Sequence, residues 1–172
     1  SKSLAMVLIV LRHGESVWNK LNKFTGLNDV ELSEGGRQEA LHAGEILKDR
    51  RFDHIFTSNL LRTIQTADII ARVQNNSIPI LQIPDFRERD YGDLTGKNKT
   101  ELVAEFGSMQ VTTWRRSYIE APPNGENLEQ VTKRVGKAYD EHVLPLVGEG
   151  KNVLIVAHGN SLRALFVHLG IK

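Results

Sequence analysis

Two stretches with the same pattern decide the fold: VLIVLRHG at residues 7–14 and VLIVAHGNS at residues 153–161. Each begins as an apolar run without polar alternation, which is typical of a strand buried in a parallel sheet. Each run then ends at His-Gly, and Arg12 precedes the first histidine. Ligands of open α/β sheets bind beyond the carboxyl ends of the strands. The pattern therefore predicts that His13 and His158 lie at one rim of a sheet, next to a permanent cation.

A less specific interpretation of these histidines competes with this one. A strand followed by glycine and serine is an ordinary strand-to-helix turn, and a single histidine there is usually a loop residue. Two copies with the same polarity, one of them carrying Arg12, favour a functional pair instead.

Composition narrows the class of protein. The chain has 172 residues, 25% charged and 40% hydrophobic, with a net charge of +1, as expected for a globular protein with a sizeable core. Its basic residues are scattered without interleaved aromatics, which argues against nucleic acid as a partner.

The absence of cysteine rules out disulfides and thiolate metal sites and fits a reducing compartment. The first apolar run is too short to span a bilayer and no cleavage site follows it, so we expect a cytoplasmic protein without a membrane partner.

Capping residues and apolar spacing predict the remaining elements. Further strands are expected at residues 52–57 and, near a sheet edge, at 78–83. Helices are expected after Ser33, after the capping residues Thr57, Ser58 and Asn59, from Asn98 to Phe106, around residues 114–116, from Leu128 to His142 and at the end of the chain. Three packing details follow: His42 is exposed, His142 lies on the packed stripe of its helix and Pro145 marks that helix's end. The face of the final helix that packs on the core is expected to comprise Leu162, Leu165, Phe166 and Leu169.

The candidate functional side chains point to phosphoryl chemistry. Arg62 is expected in the first turn of a helix, where free amides favour anions, although in isolation it fits a solvated surface arginine better. Neutral imidazoles are common metal ligands, but guanidinium groups repel a dication and no carboxylate stands at ligand spacing from either histidine. Arginine instead grips phosphate oxygens in pairs. One imidazole could then carry a phosphoryl group while the other groups neutralise its charge, without a metal. A carboxyl group must protonate the leaving oxygen.

Short motifs along nearly the whole chain resemble the histidine phosphatase superfamily, and within it the cofactor-dependent phosphoglycerate mutases. Arg-His-Gly alone fits any phosphatase of the superfamily, whereas the Trp-Arg-Arg, Asn-Lys and His-Gly-Asn-Ser-Leu-Arg stretches are more specific to the mutases. The matching stretches are RHGESVWN at 12–19, FTG at 24–26, TS at 57–58 with Arg62, ERDYG at 88–92, GKNK at 96–99, WRR at 114–116, APP at 121–123 with GE at 125–126, and AHGNSLRA at 157–164.

The resemblance implies a fold and a set of roles. The fold is a three-layer α/β/α sandwich with a mostly parallel central sheet. His13 is the nucleophile that becomes phosphorylated, Glu88 donates and accepts the proton, and His158, Arg12 and Arg62 hold the phosphoryl group. The substrate pocket comprises Ser16, Asn19, Thr25, Gly26, Arg89, Tyr91, Lys99, Arg115, Arg116, Gly159 and Asn160. Of these, Glu88, Arg115 and Arg116 read as solvated surface charges on the local sequence alone.

The implied reaction interconverts 3-phosphoglycerate and 2-phosphoglycerate through phosphohistidine and 2,3-bisphosphoglycerate. Bisphosphoglycerate primes the resting enzyme, and no metal is needed. The partners are thus small phosphorylated three-carbon acids, and a homo-oligomer is compatible with the resemblance.

The chain departs from the family pattern in several places. Leu27 stands where tryptophan is usual, Arg87 replaces a common asparagine and Asn127 a common serine. The loop at 123–125 lacks a longer insertion found in many members, which leaves the usual oligomeric contacts in doubt. We expect one domain over residues 1–172 that lacks the family's C-terminal strand and tail, with weaker mutase and relatively more phosphatase activity as a result.

Two alternatives of other classes stay open at this point. The first is a phosphohydrolase of the same superfamily, such as a bisphosphatase. The second is a binding or scaffold protein that kept the fold without activity, against which the presence of His13, Glu88 and His158 argues.

Overall fold

Four short strands form one parallel sheet at the centre of the molecule. The computed structural model describes residues 7–171. The strands are β1 (Leu8–Arg12), β2 (His54–Thr57), β3 (Ile80–Gln82) and β4 (Val153–Ala157), in the order β1-β4-β2-β3. The helices are α1 (Val17–Lys20), α2 (Glu34–Leu47), α3 (Leu61–Val73), α4 (Lys99–Phe106), α5 (Ser108–Arg116), α6 (Leu128–His142), α7 (Leu144–Gly148) and α8 (Gly159–His168).

Helices cover both faces of the sheet, which confirms the predicted three-layer α/β/α architecture. Every residue of β4 is buried, and its side chains alternate between two apolar clusters. Val153 and Ile155 pack with α6 and α8, whereas Leu154 and Val156 pack with α2 and α3. Each such aliphatic side chain contributes roughly 1.5–3 kcal/mol when fully buried.

The register between β1 and β4 places the ends of the two strands together. Arg12 lies opposite Ala157, and the amide of His13 donates to the carbonyl of Ala157 at 3.0 Å. His13 and His158 therefore leave the sheet side by side. Residues Leu8 to Leu11 are only partly buried, in contrast to the fully buried strand that the apolar run predicts, because among residues 7–171 β1 has a partner strand on one side only.

A third apolar cluster lies outside the sheet and supports the α4–α5 helical hairpin. It comprises Phe24, Leu94, Leu102 and Val111, with Tyr91 and Trp114 packed against it. The hairpin contributes basic side chains to the cavity that also contains the histidine at the end of β1.

Two predictions about helix packing were wrong in detail, and one was confirmed. His142 is exposed, because the buried side of α6 continues through Tyr139 and Val143. As predicted, α6 ends shortly before Pro145, which lies in the first turn of α7, where its missing amide proton is tolerated. Leu162 and Leu165 are buried as predicted, but Phe166 and Leu169 are each 37% exposed. Among the described residues, none of the helices has both the length and the apolar character required to cross a membrane.

Candidate active site

His13 and His158 form a buried pair at the carboxyl ends of β1 and β4. Their ring centroids are 5.1 Å apart and the rings meet edge to face at 66°. His13 is 6% exposed and His158 is fully buried. The two apolar strands thus bring both imidazoles to one place.

The backbone fixes the tautomer of His13. Its Nδ1 lies 2.6 Å from the carbonyl oxygen of Gly14. Because a carbonyl only accepts hydrogen bonds, Nδ1 carries the proton and Nε2 keeps its lone pair. Burial and the positive charges of Arg62 and Arg12 lower the pKa of His13 to about 3. The ring is therefore neutral near pH 7, as a nucleophile must be.

The turn that carries His13 is pressed against the first turn of α2. The backbones of Gly14 and Gly36 approach so closely that a Cβ atom on Gly14 would collide with the carbonyl of Gly36. The amide of Gly14 also donates to the Thr66 hydroxyl at 3.1 Å. This packing holds the His13 backbone from two sides.

His158 is oriented by hydroxyl groups at the start of α3. Its Nε2 lies 2.8 Å from Ser58 Oγ, which in turn lies 2.9 Å from Thr63 Oγ1. The Ser58 hydroxyl also accepts the amide proton of Leu60. The sequence predicts that residues 57–59 cap this helix, but the N-cap residue of α3 is Leu60. Ser58 instead forms hydrogen bonds with both the His158 ring and the Leu60 amide. Burial, followed by the charge of Arg62, lowers the pKa of His158 well below its ordinary value.

The low pKa of His13 predicts acid-sensitive stability. Its pKa is about 3 in the folded chain against 6.5 for the free side chain, so below pH 6.5 the unfolded state takes up a proton that the folded state does not. This contribution is complete above pH 6.5 and is lost as the pH falls towards 3, at up to about 1.4 kcal/mol per pH unit. Urea unfolding from pH 7 to pH 4 should show a steeper loss for the wild type than for His13→Ala. Parallel curves would contradict the assignment.

Arg62 is a buried cation in the first turn of α3. It is 1% exposed, and its two terminal nitrogens donate to the carbonyls of Asn28 and Gly26, each at 2.8 Å. Burial lowers its pKa to about 10, so it remains charged near pH 7. The interpretation of Arg62 as a solvated surface residue is wrong, because the loop at residues 26–28 covers it.

A polar cavity of about 200 Å³ opens beside His13. Seven cationic side chains and one carboxylate line it: Arg12, Lys23, Arg62, Lys99, Arg115, Arg116 and Arg163, with Glu88. The other lining residues are His13, Asn19, Phe24, Thr25, Gly26, Tyr91, Gly159 and Asn160. The sequence assigned no role to Lys23 or Arg163, although Arg163 follows Gly159 by four residues and so shares a helix face with it.

The surplus of positive charge suits a small polyanion. Burial and the charges of Arg115 and Arg12 lower the pKa of Lys99, which reflects crowding of like charges. Within residues 7–171, no cluster of three or more His, Cys, Asp or Glu side chains is arranged to hold a metal ion. Phosphate and carboxylate groups are the ligands that arginine and lysine recognise in such a cavity.

Three predicted site residues do not line this cavity: Ser16, Arg89 and His158, the last of which is fully buried behind His13. The Ser16 hydroxyl caps α1 by accepting the amide proton of Asn19. Arg89 is fully buried, and its guanidinium donates to the carbonyls of Glu126, Arg115 and Glu120. The side chains of Ser16 and Arg89 thus bond to the protein backbone beside the cavity.

A comparison with known proteins identifies the family. Residues 8–171 match the model of the histidine phosphatase superfamily (branch 1). The chain belongs to the histidine phosphatase superfamily. It is 50% identical over 163 residues to a 2,3-bisphosphoglycerate-dependent phosphoglycerate mutase of Cytophaga hutchinsonii, covering 95% of this chain and 76% of that protein. A mutase of the same name from Bartonella henselae is 46% identical, covering 94% and 80%. These relatives confirm the resemblance to the cofactor-dependent mutases.

The superfamily also includes hydrolases that share this fold. The structure of a mycobacterial glucosyl-3-phosphoglycerate phosphatase superimposes with a TM-score of 0.84 at 30% identity, covering 94% of this chain and 80% of that one. The fold alone therefore does not distinguish a mutase, which transfers the phosphoryl group to a substrate hydroxyl, from a phosphatase, which transfers it to water.

The departures from the superfamily's usual residues leave the cavity wall intact. Asn127 caps α6 in a capping box with Gln130, as a serine there would. Arg87 pairs with Asp85 at 3.0 Å and does not line the cavity. Leu27 is 38% exposed and is also outside the lining.

Proposed function

We infer that the chain interconverts 3-phosphoglycerate and 2-phosphoglycerate through a phosphohistidine. The observation that carries this inference is a neutral buried imidazole, at the end of β1, facing a cavity with seven cations and one carboxylate. Mutase relatives at 46% and 50% identity support the same reaction.

His13 is the proposed nucleophile. Its Nε2 lone pair attacks phosphorus, the P–N bond forms and the bond from phosphorus to the substrate oxygen breaks. Transfer back reverses these bonds, with a substrate hydroxyl as the attacking group. Arg12 and Arg62 would neutralise the charge on the transferring oxygens, and the neutral ring of His158 would help to hold the phosphoryl group.

Glu88 is the proposed acid and base. It is the single carboxylate among the residues that line the cavity. As a base it accepts the proton of the attacking hydroxyl, and as an acid it returns that proton to the leaving oxygen. One proton is exchanged in each half of the reaction, so the carboxylate is restored after a full cycle.

The remaining cations are proposed to bind the parts of the substrate that do not react. Lys99, Arg115 and Arg116 would hold the carboxylate and the second phosphate, with Asn19, Thr25, Gly26, Tyr91, Gly159 and Asn160 shaping the cavity. The same surplus of cations fits 2,3-bisphosphoglycerate, which carries two phosphates and a carboxylate. When bound, that compound supplies the phosphoryl group that first charges His13. We place this reaction of three-carbon metabolism in the cytoplasm.

A phosphohydrolase is the second candidate. The TM-score of 0.84 to a glucosyl-3-phosphoglycerate phosphatase favours it, because exposure of phosphohistidine to water turns the same site into a hydrolase. The identities of 46% and 50% to mutases exceed the 30% to that phosphatase, so the mutase is the better-supported reading.

A product assay separates the two candidates. The chain is incubated with 3-phosphoglycerate and a trace of 2,3-bisphosphoglycerate, and products are followed by phosphorus NMR. We expect 2-phosphoglycerate to accumulate faster than inorganic phosphate. Release of inorganic phosphate alone would replace the mutase with the hydrolase.

A further inference from the structure

One buried guanidinium outside the cavity holds the loop that carries Glu88. Arg134, on α6, donates from Nη1 to the carbonyls of Asp85 and Arg87 at 2.8 and 3.0 Å. Its Nη2 donates to the carbonyl of Glu88 itself at 2.9 Å. One side chain thus satisfies three carbonyls within four consecutive residues of the loop.

Glu126 completes the clamp. Its carboxylate accepts two hydrogen bonds from the Arg134 guanidinium, from Nε at 2.9 Å and from Nη2 at 2.8 Å. Such bidentate pairs are strong. The same carboxylate accepts the amide proton of Asp90 at 2.9 Å, and the Asp90 carbonyl accepts the amide of Glu126 at 2.8 Å. The backbone is therefore tied on both sides of Glu88.

The clamp is charged and largely shielded from water. The Arg134 and Glu126 side chains are 11% and 17% exposed. Burial raises the pKa of Glu126, but hydrogen bonding and the charge of Arg134 more than compensate, so its pKa lies below the ordinary value. The Glu126 carboxylate hence stays ionised near neutral pH. Neither side chain lines the cavity.

We propose that Arg134, backed by Glu126, is a positioning residue that fixes the Glu88 carboxyl for proton transfer. This inference rests on the proposed function, in which Glu88 protonates the leaving oxygen. Acid catalysis depends on placement within hydrogen-bond reach of the leaving atom, and a misplacement of about 1 Å can cost roughly 100-fold in rate. Loss of the clamp frees the loop while leaving His13, Arg62 and His158 on their own elements.

The choice of leaving group tests this role. Transfer from 2,3-bisphosphoglycerate to His13 expels an alkoxide that needs a proton, whereas p-nitrophenolate leaves without one. Arg134→Met keeps much of the side-chain stem and removes all five donors. In single-turnover phosphorylation of the enzyme, we expect about a 100-fold loss with bisphosphoglycerate. The rate with p-nitrophenyl phosphate should stay within about threefold of the wild type. General damage to the fold would slow both reactions, so this split between the two phosphates is specific to loss of proton donation.

Two comparison variants sharpen the experiment. Arg87→Met removes a guanidinium from the same loop. The Arg87 side chain donates hydrogen bonds to the Pro84 carbonyl and the Asp85 carboxylate and acts on Glu126 through its charge, as the smallest of the causes that lower the Glu126 pKa. This variant should therefore leave both rates within about twofold of the wild type. Glu88→Gln should show the same split as Arg134→Met, since both impair proton donation. If Arg134→Met does not fold, as judged by circular dichroism, Arg134→Lys replaces it with the same expected split, because an ammonium group cannot serve three carbonyls and a carboxylate together.

The outcomes separate this inference from the proposed function. Equal losses with both phosphates in a folded Arg134 variant, or no loss with either, would overturn the positioning role while Glu88→Gln still shows the split. If Glu88→Gln shows no split, the acid role of Glu88 fails and the role of Arg134 fails with it. A wild type that produces no 2-phosphoglycerate counts against the proposed function. The role of Arg134 is then still tested, because the rates of phosphoenzyme formation do not depend on that product.

Discussion

Replacement of His13 by alanine should abolish phosphoenzyme formation and lower turnover by at least about 10⁴-fold, the scale seen when a nucleophile is removed. The reason is geometric: the Gly14 carbonyl holds Nδ1, so Nε2 is the nitrogen with a free lone pair, and its low pKa keeps it unprotonated. We do not expect His158 to substitute, because its ring is fully buried and does not line the cavity. Labelling with ³²P from bisphosphoglycerate, followed by acid treatment, measures the effect, since phosphohistidine is acid-labile.

His42 supplies the matched control for this experiment. It is an exposed histidine on α2, so His42→Ala should label and turn over like the wild type. Acid-labile label that persists in His13→Ala would move the nucleophile to another residue.

Substitution of Glu88 by glutamine has the second largest expected effect. The amide keeps the shape of the side chain but cannot give up or return a proton, so interconversion of the phosphoglycerates should fall roughly 10²- to 10⁴-fold. Transfer from p-nitrophenyl phosphate to His13 should change little. Steady-state rates with both phosphoglycerates, together with the burst of p-nitrophenolate, measure the two effects.

Glu105 offers a control of the same chemistry. It lies exposed on α4, and Glu105→Gln should leave both rates unaltered. A Glu88→Gln variant that is slowed equally with both substrates would assign Glu88 to substrate binding and leave the acid unidentified.

The sheet and the histidine pair could be predicted from sequence because each depends on a local pattern. The apolar runs mark β1 and β4 without reference to any partner, and the His-Gly at the end of each run fixes where the imidazoles emerge. Asn98 likewise caps α4, and the helix ends at Phe106 as expected. Such features need only backbone propensity and the side-chain period.

The charged residues around the pair could not be predicted this way. Glu88 lies in a loop whose local sequence is dense with charge, and it faces the cavity because Arg134, 46 residues away, holds its carbonyl. Arg89 is buried by carbonyls that lie 26 to 37 residues away. These partners are set by tertiary structure. Only the family resemblance brought Glu88 forward, nothing in the local pattern marked Arg134, and the capping prediction for Ser58 did not reveal its contact with His158.

The alignment of Arg12 with Ala157 has a consequence for how the protein loses activity. His13, the proposed nucleophile, and the neighbouring imidazole of His158 are joined through ladder hydrogen bonds of adjacent strands, with no hinge or long loop between them. A molecule that keeps its central sheet therefore keeps both rings in place, and one that opens the sheet loses both together. The amount of ³²P bound per mole of chain therefore measures the fraction of native molecules. Along a denaturant titration, this amount should fall together with the circular dichroism signal of the backbone.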